Sequence, residues 1–280
     1  MKEKEPCLWE WLTVNEMRAV LKRTKTAILP LGVTEQHGYH LPLCTDTIDA
    51  FEMAKRISAV TGAVVAPALP YSYSGGELPG TINVSPLVMA LMVQEIVTEI
   101  IRNGFKHVIL LLGHGGSENF IALKEALNAY LRKPNLPADI VLAFAPVWQF
   151  SATWMKHFRA HDFHAGWVET SLILALVPGA ARAERVKDTP AVSRELIRHP
   201  DNYQVVETLV PSPHVIRRVR QRPDMAVGVM GFPEKANAAL GRRVAAESVA
   251  GVARLIRTIE TKKFKSYKTV KVKRDKLVIA

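Results

Sequence analysis

Apolar positions along this chain follow two rhythms. Short continuous runs occupy residues 26–32 (TAILPLG), 63–69 (AVVAPAL), 107–112 (HVILLL) and 139–145 (DIVLAFA). Runs of this length, unbroken by polar residues, predict strands buried on both faces. Between them the rhythm changes to that of a helix. Ser85 followed by Pro86 reads as an N-cap with proline at the first helical position. Leu87, Leu91, Val93, Ile96, Val97, Ile100 and Ile101 then fall on one side, and Gln94, Glu95, Thr98, Glu99 and Arg102 largely on the other, with Gly104 as the stop. Residues 119–131, 166–177 and 241–258 read as further helices, the second closed by Pro178 and Gly179. Residues 188–233 are rich in Pro and Arg, poor in periodicity, and are expected to form long loops or an excursion near the sheet's end. The alternation predicts an α/β fold with a mostly parallel sheet covered on both faces. No internal repeat or linker divides the chain, so residues 1–280 are expected to form one domain, with a basic tail at 262–280.

Chemistry-bearing residues gather after the strands, where open α/β sheets place their ligands. Behind the first strand come Glu35, His37, His40 and Asp46; behind the third, Gly113-His114-Gly115-Gly116; after the fourth, His161, Asp162, His164 and Glu169. Imidazoles and carboxylates together suit zinc, manganese or iron, with no thiolate required. Glu35 and His37 are two apart, so in an extended segment their side chains share one side. By the same parity His40 points away and reads as structural. Asp46 returns about nine residues later, where its two oxygens could bridge two ions. The small residues around His114 let backbone approach an ion or substrate closely. Trp148, Trp154 and Trp167 either wall a pocket or belong to the core, and His161 with Asp162 is either a supporting pair or a polar loop. Arg217, Arg218, Arg220 and Arg222 read as a solvated charge run, Cys44 as packing, and His107, His157, His199 and His214 have no recognisable partners.

The sequence resembles the creatininase family of metal-dependent amidohydrolases. The resemblance rests on residues 30–47 (PLGVTEQHGYHLPLCTDT), 113–116 (GHGG) and 164–171 (HAGWVETS), with a Pro79-Gly80-Thr81 loop and a late turn at 228–236. It implies a three-layer α/β/α sandwich, a site for two divalent metal ions, a small-molecule substrate, and a homo-oligomer, in the family a hexamer. It further implies that Glu35 and His114 bind one metal, that His37 binds the other, that Asp46 bridges both, that Glu169 lies near the metals, and that His164 transfers protons. Zinc is the expected ion, with manganese or iron as alternatives. The implied reaction is hydrolysis of a small cyclic amide or related carbonyl compound by a metal-activated water. The family also includes enzymes similar to a formamidopyrimidine deformylase, a precursor-peptide peptidase and a hydrolase that opens a keto-inositol ring. The last of these gives the alternative of a cyclic ketone as substrate. This chain departs from creatininases proper in one ligand: Gly116 stands where they carry a metal-binding glutamate, so Glu169 or Glu118 must substitute. Leu112 and Ser117 replace the usual asparagines, and Phe232 replaces an aspartate in the late turn. These departures argue against creatinine itself.

Composition adds boundaries. The hydrophobic share of 48% and charged share of 22% fit a globular core and exclude a disordered chain. No window of about 18 residues is apolar and uncharged, so no membrane span is expected, and the N-terminus lacks a signal-peptide pattern. Two cysteines make no disulfide framework, and a cytoplasmic location follows. Thirty-seven Lys and Arg against 26 Asp and Glu give a net charge of +11. The segment 262–276 alone holds eight basic residues and one acid. Its V-K-V-K alternation reads as an exposed, lysine-protected strand. A non-catalytic member binding nucleic acid through this tail is the competing class, though no zinc-finger spacing, stacking aromatics or recognition helix accompanies it.

Overall fold

The structure, a computed structural model, describes residues 5–261, so the basic tail lies outside the described residues. Five strands form one parallel sheet: β1 (Cys7–Leu8), β2 (Thr26–Leu31), β3 (Val64–Val65), β4 (His107–Leu112) and β5 (Val141–Pro146), in the order β1-β3-β2-β4-β5. Six residues of β2 pair in step with six of β4, and those in turn with six of β5. Leu31, Leu112 and Pro146 therefore end level with one another. The loops that follow them emerge side by side at one edge of the sheet.

Strand residues alternate between two cores although nearly all are buried. Ala27, Leu29, Leu31, Val108 and Leu110 face a layer made by α3 (Pro86–Arg102) and α4 (Ser117–Leu131), meeting Val93, Val97, Leu123 and Leu127. Ile28, Ile109 and Leu111 face α2 (Thr45–Thr61), α6 (Trp167–Leu176) and α8 (Ala238–Thr261), meeting Met53, Ile57, Leu172, Val252 and Ile256. The result is a three-layer α/β/α sandwich. Each fully buried aliphatic side chain in it contributes about 1.5–3 kcal/mol. The Ser85 cap on α3 forms as the sequence predicts, its hydroxyl accepting from the Val88 N–H at 3.4 Å.

Three differences from the sequence reading have physical causes. The strand expected at 63–69 shortens to Val64–Val65, because Pro67 has no N–H to donate. The chain still follows β2, with the Ala66 and Leu69 N–H groups bonded to the Ile28 and Pro30 carbonyls at 2.8 and 3.0 Å. Helix α2 was not expected. Its buried face runs Thr45, Asp46, Asp49, Ala50, Met53, Ala54, Ile57, Ser58, and the acids in its first turns hide the apolar period. Finally, the expected loop at 188–233 contains helix α7 (Pro190–Leu196) and an antiparallel hairpin of β6 (Gln204–Glu207) with β7 (Arg218–Gln221). The two remaining helices are α1 (Val14–Val20), closed by a Thr13–Glu16 capping box, and α5 (Ala152–Arg159). Among the described residues, no helix is long and apolar enough to cross a membrane.

Candidate metal centre

The three level strand ends deliver the predicted residues to one place. The loop after β2 carries Glu35 and His37, and Asp46 follows in the first turn of α2, where the helix N-terminus favours negative charge. The turn after β4 presses His114 against that helix so closely that any side chain at Gly113 would collide with the Asp46 carbonyl. Glu169 comes from the first turn of α6. Its carboxylate folds back to accept from the Ala165 N–H at 2.6 Å.

Asp46 is the centre of the arrangement. One oxygen lies 3.2 Å from His37 Nε2 and the other 3.0 Å from His114 Nδ1. Beyond His114, Glu35 Oε1 is 3.2 Å from the same Nδ1. Beyond His37, Glu169 Oε2 is 3.8 Å from Nε2. His164 closes the ring, with Nδ1 3.7 Å from Glu35 Oε1 and its imidazole 4.3 Å from that of His37. Three donor sets result, each with its atoms within 4.8 Å of one another: Glu35, Asp46 and His114; His37, Asp46 and Glu169; and Glu35, His37 and His164. The first two share Asp46.

Backbone carbonyls orient the rings. His37 Nδ1 lies 3.2 Å from the Glu35 carbonyl and His114 Nε2 lies 3.1 Å from that of Tyr73. With those nitrogens donating, the opposite ring nitrogens face the carboxylates. The Tyr73 peptide is itself clamped at both ends by Asn119, which accepts from its N–H at 3.1 Å and donates to its carbonyl.

The cluster's protons show what it lacks. Burial alone would lower the His37 imidazole, yet Asp46, Glu169 and Glu35 raise it to about 10. His114 is likewise raised well above its ordinary value against burial, by Glu35 and Asp46. Asp46 stays far below the usual carboxylate range despite burial, held down by the two imidazoles. Burial, reinforced by Asp46 and Glu35, pushes Glu169 up to about 8. For His164 burial dominates, with His37 adding, and lowers the ring to about 4. Among the described residues, the ion pairs of Glu35, Asp46 and Glu169 are all with histidines, and no lysine or arginine joins them. One further buried carboxyl, Asp49, has no hydrogen-bond partner on either oxygen. Protonated imidazoles thus supply the positive charge that this nest of acids requires. A mixed nitrogen and oxygen set with such an unmet demand fits divalent zinc, manganese or iron.

A side chain at Gly116 would collide with His114 Nε2, which is bonded to Tyr73. Glu118 does not turn to the cluster; its Oε1 lies 3.4 Å from Gln204 Nε2 on the hairpin. Glu169 is the acid that faces His37.

Other residues sort themselves. His40 turns away, its Nε2 3.1 Å from the Ala165 carbonyl and 3.0 Å from Thr170 Oγ1. Asp162 does not pair with His161. It accepts from the N–H groups of Trp167, Val168 and Phe232 at 2.7, 2.9 and 3.0 Å, pinning the turn that carries His164 to the start of α6. A cavity of about 280 Å³ opens over the cluster, walled by Trp148, Trp154, Phe158, Phe163, Met230 and Tyr203. Trp167 is not in that wall and packs edge-on against His157 at 4.7 Å. Arg220 and Arg222 pair with Glu207 and Asp224 on the hairpin. The sequence reading missed Gln36, Tyr73, Asn119 and Asp49. Gln36, whose carbonyl is 2.8 Å from His164 Nε2, could have been noticed from its place between Glu35 and His37. Tyr73 and Asn119 carry no sequence signal, because their roles depend on contacts far along the chain, and Asp49 was hidden with the helix that carries it.

Comparison with known proteins gives matches over most of the chain. The family model described as creatinine amidohydrolase matches residues 10–256. The creatinine amidohydrolase of Pseudomonas putida is 31% identical over 180 residues, covering 58% of this chain and 68% of its own. The mycofactocin precursor peptide peptidase of Mycolicibacterium smegmatis is 30% identical over 256 residues, covering 86% of this chain and 88% of its own. A solved mutant creatininase of Zn-Zn type superposes with a TM-score of 0.71 at 25% identity, covering 91% of this chain and 98% of its own.

Proposed function

The chain belongs to the creatininase family, and from that premise we propose that it is a two-metal hydrolase that cleaves the C–N bond of a small cyclic amide or a related carbonyl compound. The observation that carries this reading is Asp46, with one oxygen turned to each of two donor sets. In this reading Glu35, Asp46 and His114 hold one ion, and His37, Asp46 and Glu169 hold the second. Zinc suits both, with manganese or iron as alternatives. Bound there, the ions supply Lewis acidity, which polarises a carbonyl and brings the acidity of water toward neutrality.

The chain's own groups complete the chemistry. Hydrolysis forms a C–O bond from water, breaks the C–N bond and delivers a proton to the leaving nitrogen. His164 is placed to carry that proton. Its Nε2 lies 2.8 Å from the Gln36 carbonyl and 3.1 Å from the Gln36 amide nitrogen, and in the tautomer that donates to the carbonyl Nδ1 presents the free lone pair. Burial keeps the ring neutral near pH 7, ready to accept and then return a proton. Glu169 serves as ligand and, with its second oxygen, as a hydrogen-bond acceptor that orients the attacking water, whose proton goes to His164. The aromatic wall excludes bulk water and strengthens every electrostatic contact beneath it. The small cavity favours a compact substrate.

The exposed apolar residues Leu87, Val88 and Leu91 on the outer side of α3 support self-association, a hexamer by family resemblance. Two unpaired cysteines, Cys7 and Cys44, suit a reducing cytoplasm.

The test is elemental analysis of the purified protein, followed by chelation, reconstitution with zinc, manganese or iron, and assay against lactams and cyclic ureas. Two ions per chain and metal-dependent hydrolysis are expected. Absence of bound metal, with no activation by any of the three, removes the proposal.

A further inference from the structure

Asp49 lies one helical turn beyond Asp46 on the buried face of α2, and only 1% of it is exposed. Residues three apart on a helix are neighbours, so its carboxyl sits beside that of Asp46. Neither of its oxygens has a hydrogen-bond partner. The charged groups acting on it are Glu169, Asp46 and His37, the same three that form the second donor set. An orphaned carboxyl in this position destabilises the fold, and an apolar residue such as Met53, one turn further on, would serve packing better. In its ionised form it therefore needs a compensating charge. Two dications bring four positive charges to the site, whereas Glu35, Asp46 and Glu169 bring three negative ones. One positive charge would remain buried and unopposed.

We propose that Asp49 is a positioning residue for the second metal, a fourth carboxylate that neutralises the loaded centre from behind the ring of ligands. The inference rests on the two-metal reading above. Asp49 is a liability in the metal-free protein and an asset in the loaded one.

The experiment uses full-length wild type, Asp49→Asn and Asp49→Leu, each stripped with chelator. Melting temperature is measured without metal, and Zn²⁺ is then titrated against a chromophoric competitor. Removing the carboxyl is expected to raise the metal-free melting temperature in Asp49→Leu. Both variants are expected to bind the second Zn²⁺ about 10–100-fold more weakly, with the first unchanged. A merely structural role would move the melting temperature and leave the second affinity alone. If wild type binds two ions and both variants match it, this inference falls and the two-metal reading stands. If wild type itself binds fewer than two, both fall together. Should Asp49→Leu fail to fold, the near-isosteric Asp49→Asn decides the matter.

Discussion

Replacing Asp46 by asparagine removes one negative charge from a site where little solvent can make up for it. The side chain is buried, and its two oxygens stand 3.2 and 3.0 Å from the nitrogens of His37 and His114. Two unit charges 4 Å apart at an effective dielectric constant of about 20 interact by about 4 kcal/mol, so a dication gains about 8 from one carboxylate. A neutral amide oxygen and an added water recover part of that. If only about 2 kcal/mol is lost at each position, each ion still binds about thirtyfold more weakly, by the usual 1.4 kcal/mol per decade. The amide also has one oxygen where the carboxylate has two, so at least one donor set faces an NH₂ that cannot ligate. Asp46→Asn is expected to lose both ions on dialysis and all hydrolysis. The fold should persist, because asparagine has nearly the shape of aspartate and leaves the packing of α2 unchanged. The His37 imidazole, raised to about 10 largely by Asp46, should titrate lower in the metal-free variant. Elemental analysis, circular dichroism and histidine NMR measure the three effects. A folded variant that retains two ions per chain would falsify the bridging role.

Two further expectations concern other acids. Glu169→Gln should weaken one metal selectively and leave the Glu35–His114 ion in place, whereas Glu118→Gln, whose carboxylate faces Gln204, should leave metal content unchanged; equal loss at both sites, or loss only at Glu118, would mean the wrong acid has been assigned. Glu247 accepts from Ser151, Thr153 and Arg243; burial opposes its ionisation, but these bonds hold it down at about 2. Its contribution is therefore full above its ordinary value near 4.5 and is lost as pH falls toward 2. Glu247→Gln should cost about 1–2 kcal/mol at pH 7 and progressively less between pH 4.5 and 2, by urea denaturation. A pH-independent difference would refute the assignment.

The fold was readable where local pattern and burial agree. Continuous apolar strands β2, β4 and β5 and the capped α3 announce themselves, although Leu87 and Leu91, which the pattern counts with the apolar side of α3, are exposed. Helix α2 was hidden because it serves the site: Asp46 and Asp49 occupy turns where the core would ask for apolar side chains. The hairpin of β6 and β7 was hidden because its short strands are polar and paired only with each other. Within the candidate site, Glu35, His37, Asp46 and His114 were legible from their spacing behind strands. Glu169 and His164 were legible as motif residues, but that Glu169 faces His37 while Glu118 turns to Gln204 is visible only in the contacts. Asn119 illustrates what spacing cannot convey. It acts on His114 through the peptide of Tyr73, a residue 46 positions away in the chain.

The level ending of β2, β4 and β5 separates two kinds of evolutionary change. Glu35, His37 and His114 follow closely on rungs of a hydrogen-bonded ladder, so moving one of them means slipping a whole strand. Tyr203 and Met230, which overhang the cavity, belong instead to the excursion between α6 and α8 and are attached to no rung of that ladder. A lineage can therefore remodel the overhang, lengthening the hairpin or exchanging its aromatic groups, while the grip beneath keeps its register. A scaffold divided in this way can accept new substrates without reinventing its chemistry.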